Sequence, residues 1–183
     1  MRSLPNALTM ARALAVPLVV AAFYLPQPLG SWTAFALFVL AGITDWLDGH
    51  LARKWGVTSN FGRFLDPIAD KLLVAAILLM LVARDHLAGV HVLAALVILM
   101  REILVSGLRE HLAELKVRLP VTRLAKWKTA VQMIAIGALV LAPAGDPLGL
   151  PASVVGIWGL WIAAVLTIIT GYDYLVAALR HID

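Results

Sequence analysis

Six apolar runs fill this 183-residue chain, and five of them meet a charged or acidic residue at the same end. Trp32 to Thr44 run up to Asp45, Leu72 to Ala83 follow Lys71, and Gly89 to Met100 precede Arg101. Ala13 to Leu25 follow Arg12, and Thr129 to Ala142 follow Lys128. These runs hold 12 to 14 residues each, about 18–21 Å of helix at 1.5 Å per residue. A bilayer core is about 30 Å thick and takes roughly 20 residues to cross. Run length and patterning predict an all-α membrane protein of six spans, near 8–26, 32–55, 62–84, 89–112, 122–142 and 152–177. The first polar groups of five spans then share one depth, some 10 Å below one membrane surface.

That arrangement predicts a polar cavity opening to one side. The plainer alternative is five short helices whose ends snorkel to the surface. Snorkelling suits long Lys and Arg side chains but not a short Asp, which favours the cavity. Turn formers mark the other side, at Pro26 to Gly30, His86 to Gly89 and Pro143 to Pro151. Of the fifteen Lys and Arg residues only Arg84 belongs there. The positive-inside rule therefore puts both termini and the charged loops in the cytoplasm. Tyr24 and Trp32 fit the outer interface, and Trp55, Trp127 and Tyr174 the inner one. Asp173 with Tyr172 and Tyr174 reads as an interfacial anchor.

The length allows a single domain, 1–183. Arg2 ahead of an apolar run imitates a signal peptide. Arg12 interrupts early, and Leu25-Pro26-Gln27-Pro28 lacks the small residues of a cleavage site, so a retained first helix is expected. With no cysteine, disulfides, thiolate nucleophiles and zinc-thiolate sites are excluded. The basic excess is read as membrane topology, and no nucleic-acid partner is expected.

Four aspartates stand in two short arcs of this hydrophobic chain. Asp45 and Asp48 lie at i, i+3, and Asp66 and Asp70 at i, i+4. On helices each pair shares a face. Clustered acids raise one another's pKa unless cations lie between them. Oxygen-only donors suit magnesium, manganese or calcium rather than zinc. A charge network with Arg53, Arg63 and Lys71 is the competing explanation.

Arg101, Val105 and Arg109 fall at i, i+4, i+8, Lys126 and Lys128 enter the next span, and Gln132 stands one turn further on. This cationic patch suits a phosphorylated ligand, gripped bidentately by Arg and by point charge from Lys. Lys116, Arg118 and Arg123 fit topology better. Glu102 and Glu110 are expected to orient the arginines. Asn6 is placed to cap the first helix or to touch a ligand, with Thr9 and Arg12 beside it on a short N-terminal interfacial segment.

The pattern D-x2-D-G-x2-A-R-x8-G-x3-D-x3-D is matched at Asp45, Asp48, Gly49, Ala52, Arg53, Gly62, Asp66 and Asp70. It resembles the signature of the CDP-alcohol phosphotransferases. The segments Asn6 to Arg12, Thr44 to Gly49, Asp66 to Lys71, Arg101 to Glu110 and Lys126 to Gln132 resemble members that use sn-glycerol 3-phosphate. The resemblance implies a bacterial inner-membrane enzyme that transfers a phosphatidyl group from CDP-diacylglycerol to that acceptor and releases CMP. It implies two Mg2+ or Mn2+ ions on Asp45, Asp48, Asp66 and Asp70, with Asp70 also the general base. It puts the nucleotide along Asp45, Gly49, Ala52, Arg53 and Gly62. It leaves Arg101, Arg109, Lys126 and Lys128 for the acceptor phosphate, and it implies a homodimer among membrane lipid. For the glycines alone, close helix packing is the competing explanation. Inositol phosphate, or phosphatidylglycerol as in a cardiolipin synthase, would keep the same reaction. A divalent-cation transporter is the alternative from another class, because intramembrane acids also line ion paths. The spans carry no Asp or Glu in their outer halves, which disfavours it.

Overall fold

The computed structural model describes the backbone of residues 3–55, 60–114, 117 and 122–179. Side chains are described within these except at 3–9, 11–13, 46, 48–55, 60–67, 111, 113–114, 173 and 177–179. Six α-helices form and, among the described residues, no strand. They are α1 (Ser3–Ala22), α2 (Leu29–Trp55), α3 (Asn60–Ala83), α4 (His91–Glu114), α5 (Arg123–Gly145) and α6 (Ala152–Leu179). Each apolar run of the sequence lies mainly in one helix. By length and composition, His91–Glu110, Arg123–Leu148 and Ala152–Val176 are able to cross a membrane, and Leu29–Asp45 is a shorter apolar stretch.

Two boundaries differ from expectation. Helix α1 begins at Ser3, so the N-terminal segment is continuous with the first helix and Asn6 stands inside it rather than at its cap. Pro5 falls in the first turn, where its missing N–H has no helical partner to lose. Helix α5 runs through Pro143 to Gly145, and the N–H of Asp146 reaches Ala142 O. A short 3-10 turn, Asp146–Leu148, follows. Thr122 caps the other end, its side chain accepting from Ala125 N at 3.2 Å.

Helix α1 packs on α2 and α3, α5 packs on α6 and α2, and α4 packs on α6. Ile77, Leu78 and Leu81 of α3 meet Ile98, Ile136, Leu139 and Leu160 in a fully buried core. Small residues let the helices approach. A Cβ on Gly156 would come within 2.6 Å of Leu139 Cγ, and one on Gly159 within 2.9 Å of Ala135 Cβ. Both glycines thus serve the α5–α6 contact. Between α1 and α2 the chain turns sharply, and a Cβ on Gly30 would press on the carbonyls of Leu25 and Ala22, at 2.8 and 2.9 Å.

The outside of the bundle is equally apolar. Along α6, Trp158, Ile162, Val165, Ile168 and Ile169 are exposed, and α4 exposes Leu93, Leu96, Met100 and Ile103. Continuous apolar faces of this kind suit lipid rather than water. Tyr24, Trp127 and Tyr172 are exposed, as interfacial aromatics should be. Tyr174 is not an anchor: it is buried, and the Arg101 guanidinium lies over its ring at 5.8 Å.

Candidate active site

The charged ends of four helices meet around one cavity of about 620 Å3. Helix α2 contributes Asp45, and α3 contributes Asp70 and Lys71. Helix α4 contributes Glu102 and Arg109, and α5 contributes Lys128, Thr129 and Gln132. Ala41, Gly42, Leu73, Val74 and Met133 floor it. Thr44, next to Asp45, turns its hydroxyl back on its own helix, 2.9 Å from the carbonyls of both Leu40 and Ala41, a local bond open to threonine.

The α4–α5 wall is held by charge. Lys128 is buried and hydrogen-bonds Glu102, a contact between helices. Lys71 spans from α3 to Ser106 of α4 by another hydrogen bond. Gln132 is buried one turn beyond Lys128, and its Oε1 has no partner. Such an atom is costly without a donor.

The expected acceptor residues separate. Arg109 and Lys128 line the cavity, while Arg101 and Lys126 are not among its walls. Eight residues on a 3.6-residue helix overshoot two turns by about 80°, so Arg101 and Arg109 diverge. Arg101 points to α6, donating to Thr170 Oγ1 at 3.1 Å and covering Tyr174. Lys126 and Lys128, two residues apart, face opposite ways; Lys126 is exposed. Asp45 and Asp70, from different helices, do share the cavity. The side chains of Asn6, Thr9, Arg12, Asp48, Gly49, Ala52, Arg53, Gly62 and Asp66 lie outside the described residues, and only their helices are placed. Among the described residues no three metal-binding side chains converge. Glu102, Lys71 and Thr129 line the cavity without any spacing signal. Sequence alone does not tell which of Arg101 and Glu102 turns inward.

Beside this cavity lies an apolar groove of about 590 Å3 between α2 and α5. Phe35, Phe38 and Ile43 form one side, Ile134, Gly137 and Leu141 the other, and Leu150 to Ala152 one end. Gly42 and Met133 line both spaces. A Cβ on Gly42 would meet only Met133 Cε, at 3.9 Å. Charge and hydrocarbon are thus joined over one glycine.

Asp45 and Asp70, two of the four aspartates of the signature, thus line one cavity with Lys71, Arg109 and Lys128 at the charged ends of the helices. Residues 2–169 match the model of the CDP-alcohol phosphatidyltransferase family, and the chain belongs to that family. It is 47% identical over 180 residues to a Rickettsia felis protein named CDP-diacylglycerol–glycerol-3-phosphate 3-phosphatidyltransferase, covering 98% of this chain and 97% of the relative. Proteins of the same name from Haemophilus influenzae and Cereibacter sphaeroides are 41% and 40% identical. Those matches cover 96% and 98% of this chain and 93% and 97% of the relatives.

Proposed function

We propose that this chain transfers the phosphatidyl group of CDP-diacylglycerol to sn-glycerol 3-phosphate, giving phosphatidylglycerophosphate and CMP. The observation that carries the reading is one cavity uniting Asp45 and Asp70 with Lys71, Arg109 and Lys128, in a chain whose relatives bear that reaction in their names. The chain forms a single domain, 1–183, with six spans in the bacterial inner membrane. Both termini and the cavity face the cytoplasm, where a water-soluble acceptor meets a lipid donor. The protein works as a homodimer.

The donor is amphiphilic, and so is the site. Its cytidine lies along Asp45, Gly49, Ala52, Arg53 and Gly62, with Arg53 toward the diphosphate. One acyl chain passes over Gly42 into the α2–α5 groove. An oxygen-only donor set on two helices fits hard divalent cations. Asp45, Asp48, Asp66 and Asp70 would hold two Mg2+ or Mn2+ ions, whose chemistry when bound is to offset charge on the diphosphate. Arg109 and Lys128 bind the acceptor phosphate, Lys126 adds charge at the cavity mouth, and Arg101 stands behind Glu102. Asn6, Thr9 and Arg12 contact the ligand from α1. Asp70 takes the proton from the acceptor's 1-hydroxyl. That oxygen bonds to the phosphorus carrying diacylglycerol, the bond from this phosphorus to the CMP oxygen breaks, and CMP leaves.

The test is purified chain in lipid with CDP-diacylglycerol and a panel of soluble alcohols and their phosphates, reading CMP release and lipid product. Phosphatidylglycerophosphate formed from sn-glycerol 3-phosphate is expected. Preference for inositol phosphate or phosphatidylglycerol would reassign the acceptor, and metal flux without CMP release would favour a transporter.

A further inference from the structure

A carboxylate lines the wall that should hold a phosphate. Glu102 shares the cavity with Arg109 and Lys128, and an acceptor phosphate brought to Lys128 would meet its charge. We infer that Glu102 is a positioning residue that acts as a stand-in anion: it holds Lys128 until the acceptor phosphate displaces it, and Arg101 then takes the released carboxylate. The inference rests on the functional reading above.

Three observations support the exchange. Lys128 is almost wholly buried, with a side chain 5% exposed, and Glu102 is its ion-pair partner. A buried ammonium needs an anion nearby whether or not ligand is bound. Glu102 is looser, its side chain 20% exposed, so it is the partner that can move. Arg101 stands ready on the far side, its Nη1 3.5 Å from the same Oε1 atom that Lys128 holds. That distance is at the outer limit of a hydrogen bond. Arg101 also has unused capacity, since its Nε is buried without a partner. Its position does not depend on Glu102, because Thr170 and the Tyr174 ring anchor it from α6. A short swing of Glu102 therefore trades one cation for another. Lys128 is released to the phosphate with no charge left uncompensated.

The idea predicts effects of opposite sign at neighbouring residues. Glu102→Gln withdraws the competitor, so the KM for sn-glycerol 3-phosphate should fall about two- to fivefold, the scale of one partly exposed ion pair. Inhibition by inorganic phosphate should strengthen by a similar factor. Arg101→Gln leaves the displaced carboxylate unpaired, so acceptor KM should rise. In the Glu102→Gln background the Arg101→Gln change should add no further effect, a coupling that a double-mutant cycle reads directly. Glu102→Asp, which shortens the reach to Lys128 and keeps the charge, should also lower acceptor KM and serves if the glutamine variant does not fold. Unfolding temperature in detergent checks integrity. An unchanged or higher acceptor KM in the folded Glu102 variants overturns the inference, as does an Arg101 effect that persists without Glu102, which would make Arg101 a direct phosphate ligand. If the wild-type chain makes no phosphatidylglycerophosphate, the functional reading fails first and this inference with it.

Discussion

Two cavities of nearly equal size share a wall and differ in almost everything else. The one at the charged ends, about 620 Å3, has three carboxylates and three cations among its lining residues. The one between α2 and α5, about 590 Å3, is lined by apolar and small residues. Their common border is Gly42 and Met133. Neither space alone explains the other, because a soluble phosphate ester has no use for the groove and a plain lipid has none for the carboxylates. A molecule with a charged head and a long apolar tail uses both. The polar cavity should therefore control chemistry and acceptor choice, and the groove should control only which lipids enter.

The largest effects belong to the carboxylates. Asp45→Asn and Asp70→Asn keep shape while removing charge, and turnover should fall by orders of magnitude, as loss of a general base alone contributes about 10²–10⁴-fold. CMP release with saturating substrates is the measurement. Exhaustive chelation should abolish activity, with magnesium or manganese restoring it and zinc a poor substitute. Near-normal turnover in either variant, or after chelation, would leave the polar cavity without its assigned chemistry.

Next come the cations. Arg109→Ala removes an exposed cation and should cost less than Lys128→Met, which deprives a desolvated phosphate of its buried partner, a loss of about 2–5 kcal/mol. That corresponds to roughly 30-fold to several thousand-fold in acceptor KM. The KM for CDP-diacylglycerol should change far less. If the liponucleotide constant moved instead, donor and acceptor would have exchanged places within the cavity.

The border gives a smaller effect. Gly42→Leu places a side chain over the passage, where a Cβ meets only Met133. Displacing two methylenes at about 0.8 kcal/mol each should raise the KM of a long-chain CDP-diacylglycerol about tenfold. A short-chain analogue should be affected less, and inhibition by CDP unchanged. Equal losses for all three ligands would mean that the substitution harms the head-group site, and the division between cavities would fail.

Much of this division is legible in the sequence, and the illegible part has a physical cause. The level at which apolar runs meet charge marks the end of the bundle where the charged cavity lies. The helix bounds follow from the same runs, apart from ends where proline is tolerated. Pro143 continues α5 into its last turn and Pro5 sits in the first turn of α1. What spacing does not carry is rotation. Arg101 and Glu102 are neighbours in sequence, yet one faces α6 and the other the cavity. Tyr174 has the composition of an interfacial anchor and is instead roofed by Arg101. The groove is equally silent, because Gly42, Gly137 and Ala138 look like ordinary residues of an apolar run. Only the packing of α2 on α5 reveals that the space beside them stays open.

The smallest effect sharpens the contrast from the opposite end of the bundle. His86 lies in the α3–α4 loop, half-buried with its ring 6.4 Å from that of Phe23. Its backbone N–H donates to Leu81 O at 2.9 Å, and its Nδ1 is buried without a partner. Arg84, tied to Phe23 O at 2.6 Å and lying over Tyr24, sits two residues away. Burial, and secondarily the Arg84 charge, hold His86 below the ordinary 6.5, with Asp85 opposing. The ring is therefore neutral in the fold where an unfolded chain would already bind a proton. Near and above neutral pH it costs no stability. As pH falls through about 6.5 the unfolded state gains protons first, and stability drops until the folded ring also titrates. His86→Phe keeps an aromatic ring against Phe23 and removes the titration. The unfolding temperature of the wild type in detergent should fall further than that of the variant between pH 7.5 and pH 5.5. At a fixed neutral pH the two should turn over alike, because His86 lines neither cavity. Parallel pH slopes would remove His86 as the source of acid sensitivity. A variant that lost activity at neutral pH would show that the loops at this end of the bundle reach the chemistry.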